Sequence, residues 1–434
     1  MARTPATLEG GTRISDYITL GVVARLFPAE RVESVLRETG RASQRHRDLP
    51  AHVVIYYVIA LALFTQASCR EVLRGLMEGL RWLQGTPDEL HIAGKSAISQ
   101  ARSRLGWEPL QRLHDQIVQP IATPDTPGAW YRQWRIVSID GCTLDVPEDP
   151  AIENEFGRPS TAKGTSAYPQ VRFVSLVESG THVLFASRME GFNTSEKALA
   201  HQVLPALTPG MLCLADRGFY GFEFWNKARA TGAELLWRVN AKLGLSREEE
   251  LEDGSYLSTL YPTREYRHPS KGVRVRVIAY TLQGIPMPPD AEGETTYRLI
   301  TTLLDPETAP AVELAALYPE RWEIESAFDE LKTHLRGRQM LLRSKTPDLI
   351  RQEFYGLMMA HFAIRGLMHE AALRAEVDPD RLSFIHAVRV VRRTLPHFAA
   401  LSPLNNASSP TPPSSRNSRK NRSAPVECAP THEA

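Results

Sequence analysis

The chain is 434 residues long, enough for two or three domains around a substantial core. Its 51 basic and 50 acidic residues leave a net charge of +1, which excludes a polycationic protein; any nucleic-acid surface must come from local segregation of charge. Cys69, Cys142, Cys213 and Cys428 are scattered without the paired spacing of a zinc site and fit free thiols in a reducing cytosol, and the first residues, Met1 to Pro5, carry no hydrophobic signal region, so a cytoplasmic protein is expected.

Residues 1–130 read as mostly helical. Ser15 or Asp16 suits a cap, Pro28 opens a second helical segment, and Pro50 precedes the apolar run Val53–Phe64. That run is too short for a bilayer and reads as a buried helix. Arg37, Arg41, Arg45, His46 and Arg47 form a basic cluster that suits a solvated loop and a phosphate contact equally. In the segment Gly94–Gly106, Ile98, Ala101 and Leu105 make a narrow inner face. Ser96, Gln100, Ser103 and Arg104 point outward, with Lys95 and Arg102 at the flanks. Short polar side chains with arginines suit a helix that enters a major groove, though an exposed polar helix would carry the same composition.

From about residue 131 the pattern becomes β. Trp134–Asp140 is an apolar run ending in a carboxylate, and Val171–Val177 pairs with His182–Ser187 as a hairpin across Glu178–Thr181. Ser195 starts a helix to about Leu207, and Gly210 ends it before a second apolar run closing on Asp216. A helix from Phe222 to Ala230 and a strand Leu235–Val239 follow. This order of strands and helices predicts a mixed sheet with flanking helices and both aspartates near adjacent strand ends. Asp145 and Asp149 are rival acids, but the prolines around them suggest a loop leaving the sheet.

Residues 240–305 contain alternating runs, notably Val273–Tyr280 and Thr295–Ile300, and read as an inserted β subdomain. Beyond it, Tyr318, Arg321, Glu325 and Lys332 fall within about 60° on a helical wheel, beside an apolar stripe of Ile324, Phe328, Leu331 and Leu335. One face then carries a phenol, a guanidinium, a carboxylate and an ammonium. By itself this is also what a solvated helix with an Arg321–Glu325 pair would show. Helices continue to about Arg393. The stretch 401–434, with 13 Ser and Pro and four basic against two acidic residues, should be disordered.

Two strand-end acids and a helix acid are what a two-metal phosphoryl-transfer site requires. The spacing Tyr318-x₂-Arg321-x₃-Glu325-x₆-Lys332, the run Asp216-Arg217-Gly218-Phe219-Tyr220 and the run Ile139-Asp140-Gly141-Cys142-Thr143 together resemble the signature motifs of the DDE transposases of the insertion sequence 4 family. The resemblance implies an α/β fold: an RNase H-like mixed sheet in two parts (131–239 and 306–398), interrupted by the β insertion and preceded by a helical DNA-binding domain; 399–434 is a tail. It implies Asp140, Asp216 and Glu325 as catalytic ligands of Mg²⁺ or Mn²⁺, with Tyr318, Arg321, Lys332 and Arg238 as DNA contacts. Lys95, Ser99, Gln100 and Arg102 fall in the region resembling the family's recognition helix. Relatives that form a hairpin intermediate stack an insertion-domain tryptophan on a flipped base. No tryptophan lies between Trp237 and Trp322, which makes Tyr297 the substitute candidate. The partners implied are double-stranded DNA, as transposon ends and target, and a second copy of the chain in a nucleoid-associated synaptic complex. A nuclease without strand transfer, or a noncatalytic DNA-binding derivative, would carry the same acids.

Overall fold

The computed structural model describes residues 23–45, 49–84, 93–161, 164–262, 271–281, 297–337 and 341–393. The early cap at Ser15 or Asp16, His46, Arg47 and the 399–434 tail lie outside them. The first helices are α1 (Ala29–Glu38), α2 (Ala51–Leu63), α3 (Cys69–Gln84), α4 (Lys95–Leu105) and α5 (Glu108–Ile117). Next come β1 (Trp130–Tyr131), β2 (Trp134–Asp145), α6 (Pro150–Phe156), β3 (Ser160–Thr161), β4 (Gly164–Thr165), β5 (Gln170–Glu178) and β6 (Val183–Gly191). They are followed by α7 (Glu196–Val203), β7 (Met211–Ala215), α8 (Phe222–Arg229) and β8 (Glu234–Val239). The remaining strands are β9 (Glu249–Glu250), β10 (Tyr256–Leu260), β11 (Val273–Tyr280) and β12 (Tyr297–Thr301). The last helices are α9 (Ala311–Leu317), α10 (Glu323–Asp329), α11 (Pro347–Ala375) and α12 (Phe384–Arg393).

One large mixed sheet organises these elements, in the order β6-β5-β2-β7-β8-β12-β11-β10-β9. β6, β5 and β2 are antiparallel neighbours, whereas β2, β7 and β8 run parallel. Because strand side chains alternate between faces, Trp134, Ile136, Leu212 and Leu214 lie on one side and pack with Leu314 of α9 and with Tyr318. Val137, Ile139, Cys213 and Ala215 belong to the opposite core, which includes α2 and α11. The same alternation puts Asp140 and Asp216 at the ends of the first set of rows, on the α9 side.

The strands expected to form an inserted β subdomain extend this sheet instead. β12 pairs antiparallel with β8, and β11, β10 and β9 follow outward. β8 would otherwise present a bare edge of unpaired amides. The strand carrying Asp140 also differs from expectation, continuing to Asp145 because its antiparallel partner β5 reaches that far. Asp145 accepts a hydrogen bond from Gln170 at 2.7 Å. Ser195 caps α7 by accepting from the Ala198 N–H, as its position predicts.

The first helices share their core with the last ones. Every residue of α2 from Val53 to Leu63 is buried, and α2 lies so close to α11 that a Cβ at Gly356 would meet the Val58 carbonyl oxygen at 2.8 Å. α4 turns Ile98, Ala101 and Leu105 inward and leaves Lys95, Ser99 and Gln100 exposed. Arg102, expected at the DNA-facing flank, is buried. Its Nε donates to Gln352 at 3.0 Å, and its Nη2 donates to Ser344 and to the Leu349 carbonyl, both at 2.9 Å. A guanidinium carries five donors in a rigid fork, and here it satisfies polar groups at the start of α11, so in this conformation Arg102 is engaged with protein and is not presented at an outward flank. Among the described residues no helix is long and apolar enough to cross a membrane.

Arg102→Ala should therefore lower stability by about 2–4 kcal/mol, through stranded buried acceptors and lost packing. Urea unfolding reads this directly. An unchanged midpoint accompanied by weakened DNA binding would return Arg102 to a DNA surface.

Candidate active site

The parallel pairing of β2 with β7 ends at Ile139 and Ala215. The next residue on each strand is an acid, so Asp140 and Asp216 leave the sheet side by side. Asp216 folds back on its own turn, accepting from the N–H groups of Gly218 at 2.8 Å and Phe219 at 3.3 Å. Asp140 accepts from Gly141 N–H at 2.8 Å through one oxygen and from Arg321 Nη1 at 3.1 Å through the other. The second guanidinium nitrogen of Arg321 is 3.6 Å from Glu325. One buried arginine thus links the strand acid to the helix acid, and Glu325 remains about half exposed.

Burial pushes the Asp140 carboxyl up to about 7, with the neighbouring Asp216 and Glu196 charges adding to the effect and the Gly141 amide and Arg321 opposing it. Among the described residues, the ligand atoms of Asp140, Asp216 and Glu325 do not all come within 4.8 Å of one another. Asp140 and Asp216 stand side by side at the strand ends, and Glu325 reaches Asp140 only through Arg321. Crowded, partly desolvated carboxylates with one arginine among them carry an excess of negative charge that divalent ions would offset.

The segment bearing the third acid is not a regular α-helix. Tyr318–Trp322 is a tight 3₁₀ turn, α10 follows, and Glu330–Leu335 is a π-helical turn with the Arg336 N–H bonded to the Leu331 carbonyl at 3.1 Å. The signature side chains still gather on one side. Lys332 is half-buried beside Cys142, two residues along β2 from Asp140. The expected phosphate role of Tyr318 meets a different arrangement: the ring is buried and its hydroxyl donates to the Ala215 carbonyl at 3.2 Å, bracing the residue before Asp216. Arg238 is buried with its guanidinium 4.3 Å from the Tyr297 ring centre, and Tyr297 itself is 4% exposed and stacked on Tyr280. Tyr297 is therefore a packed strand residue here, not an open stacking platform, because β11 and β12 bury their facing rings between them.

Glu196 was not visible from sequence. It lies in the first turn of α7, and its carboxyl group covers Gly141 so closely that a Cβ there would meet an oxygen at 2.6 Å. Nothing in its local spacing distinguishes it from an ordinary first-turn glutamate. Trp322 is 52% exposed beside Glu325, with Arg321 5.3 Å from its ring.

The family described as "Transposase DDE domain" matches residues 132–363, and the one described as "Insertion element 4 transposase N-terminal" matches residues 17–115. This chain is a member of the insertion sequence 4 family of DDE transposases. It is 27% identical over 399 residues to the transposase InsG for insertion sequence element IS4 of Escherichia coli (strain K12), covering 90% of this chain and 84% of that protein. The putative transposase InsZ of the same organism is 25% identical over 226 residues, 52% of this chain and 73% of its own length. Among solved structures, a piggyBac transposase synaptic complex with hairpin DNA aligns at a TM-score of 0.43 with 10% identity, covering 90% of this chain and 83% of that one.

In this transposase the raised Asp140 ionisation has a thermodynamic consequence in the absence of metal. An unfolded Asp140 ionises near its ordinary 3.8, so between about pH 4 and pH 7 the folded state keeps a proton that the unfolded state has released. Stability then falls as pH rises through that window. Asp140→Asn should abolish this component, and denaturation in a chelator across the window should show wild type losing about 2–4 kcal/mol relative to the variant. Parallel curves would contradict the assignment.

Proposed function

We propose that this transposase binds the inverted-repeat ends of an insertion sequence and carries out divalent-metal-dependent DNA cleavage and strand transfer from an RNase H-like core. The observation that carries the reading is the convergence of three acids from distant parts of the chain, with Asp140 and Asp216 leaving adjacent parallel strands and Arg321 joining Asp140 to Glu325. The order β6-β5-β2-β7-β8, three antiparallel strands followed by two parallel ones, supports the RNase H-like assignment.

Asp140, Asp216 and Glu325 hold the cations, Mg²⁺ by preference and Mn²⁺ as a substitute. Bound divalent metal supplies an activated water and neutralises charge on the scissile phosphate. The chain's own part is positional. Its acids fix the site at the sheet end, Arg321 and Lys332 offer positive charge to the DNA backbone, and Tyr318 and Arg238 hold the strand ends beneath it. In-line displacement at phosphorus, first by water and then by the freed 3′-hydroxyl, requires no covalent protein intermediate. Residues 1–130 supply end recognition, with Lys95, Ser99 and Gln100 of α4 directed outward to the duplex. Two ends must be held together, which calls for a homodimer in the synaptic complex.

Asp140→Asn, Asp216→Asn and Glu325→Gln should each reduce Mg²⁺-dependent cleavage of a cognate end by at least about 100-fold while end binding persists, because several kcal/mol of charge stabilisation is lost. Cleavage that survives in any of the three would refute the assignment. Precleaved ends mixed with target DNA test the second step: joined products support a transposase, and cleavage without joining a simple nuclease. Gln100→Ala should weaken binding to cognate ends more than to random duplex, and equal losses on the two would remove α4 from recognition.

A further inference from the structure

A second cluster of ligating side chains lies behind α10. His182, in the turn between β5 and β6, keeps only 8% of its side chain exposed, and its Nε2 makes no hydrogen bond. That nitrogen is 3.3 Å from Asp380 Oδ1 and 3.7 Å from Glu323 Oε2. Asp380 sits in the segment between α11 and α12, so three separate parts of the chain meet here. One ligand atom from each residue lies within 4.8 Å of the other two. A cavity of about 410 Å³ opens onto them, lined also by Glu320 and Ser326.

We propose that His182, Glu323 and Asp380 form a second divalent-cation site, separate from the three acids at the sheet end, that takes a zinc-class ion in preference to magnesium. The donor set argues for that class. Imidazole nitrogen suits Zn²⁺ and related transition ions, whereas Mg²⁺ favours an all-oxygen shell. The other imidazole nitrogen, Nδ1, is 3.3 Å from Glu330 Oε1. A ligating histidine commonly donates its far N–H to a carboxylate, which fixes the ring and leaves the near nitrogen's lone pair toward the ion. Glu330 is itself held by Arg365 and by His361 at 3.3 Å. Three protein ligands beside an open cavity leave a coordination position for water.

The place of the site in the fold gives it a purpose. Glu323 lies two residues before Glu325, and its carboxylate already accepts from the Gly180 N–H at 2.6 Å. An ion shared with His182 and Asp380 ties the first turn of α10 to the β5–β6 turn and to the approach to α12. The cation binding stands independently of the cleavage reaction proposed above.

The test uses the untagged full chain carrying Asp140→Asn and Asp216→Asn, which removes competing ligands at the sheet end. The protein is equilibrated with limiting Zn²⁺ in excess Mg²⁺ and desalted, and its bound zinc and melting temperature are measured. The expected result is one retained Zn²⁺ per chain and a melting temperature raised by Zn²⁺. In that background His182→Gln and Asp380→Asn should each lower Zn²⁺ affinity by at least 10-fold, and Glu330→Gln by about 10- to 100-fold. Asp380 is 40% exposed, so its substitution keeps the test usable should the His182 variant fail to fold. The competing arrangement has Arg365 donating to His182 Nδ1, so that Nε2 carries a proton toward the two carboxylates. It predicts no stoichiometric zinc, and that result overturns the proposal, as does equal zinc retention in His182→Gln and Asp380→Asn.

Discussion

The Arg321 guanidinium is the interaction on which the site geometry depends. An arginine remains charged at any accessible pH and offers donors in a fixed planar fork, so one side chain reaches Asp140 with one nitrogen and Glu325 with another. Removing the Asp140 carboxylate from water is costly without a counter-charge. Arg321 supplies part of it, yet Asp140 still ionises with difficulty because Asp216 and Glu196 stand nearby. The charge balance is thus left incomplete at the position where cations would be received.

Bringing Arg321 there is the work of two anchors. Arg276 of β11 is fully buried and pairs with Asp253, while the same aspartate accepts from the Ala311 N–H at 2.8 Å and so fixes the start of α9. Arg276 also donates to Ser255 at 2.7 Å and to the Ala309 carbonyl at 2.6 Å. At the far end of α9, Tyr318 bonds the last residue of β7. Between them Leu314 packs on the sheet face that carries the acids. The added strands therefore do more than lengthen the sheet: they hold the path by which the chain returns to the first two acids.

Much of this was legible in the residues themselves. Apolar runs ending in Asp140 and Asp216 marked the central strands, and the Tyr318–Lys332 spacing marked the third acid, since burial and periodicity act locally. What escaped depends on partners far along the chain. Alternation could not reveal that β12 would join β8, because an edge strand and a separate subdomain look alike in sequence. A helical wheel places Arg102 at a flank without saying that α11 lies against it. Tyr318, Arg238 and Tyr297 have the chemistry of nucleic-acid contacts, and only tertiary packing showed their polar or aromatic groups engaged with protein. His182, Glu323 and Asp380 are single residues on three segments and leave no spacing to read.

The wide π turn at Glu330–Leu335 bears on length as well as shape. It holds one more residue within its hydrogen-bonded loop than an α turn does, and Lys332 lies inside it while Glu325 lies before it. A single-residue deletion there would let the π turn tighten into ordinary helix while its flanks keep nearly their present angular relation, whereas the same deletion within α10 would turn Glu325 by about 100° relative to Lys332. The apolar residues of α10 would then have to choose between their old core and a new angular phase. Chain length is therefore free to change by one residue at the π turn and fixed on the side of it that carries the acid.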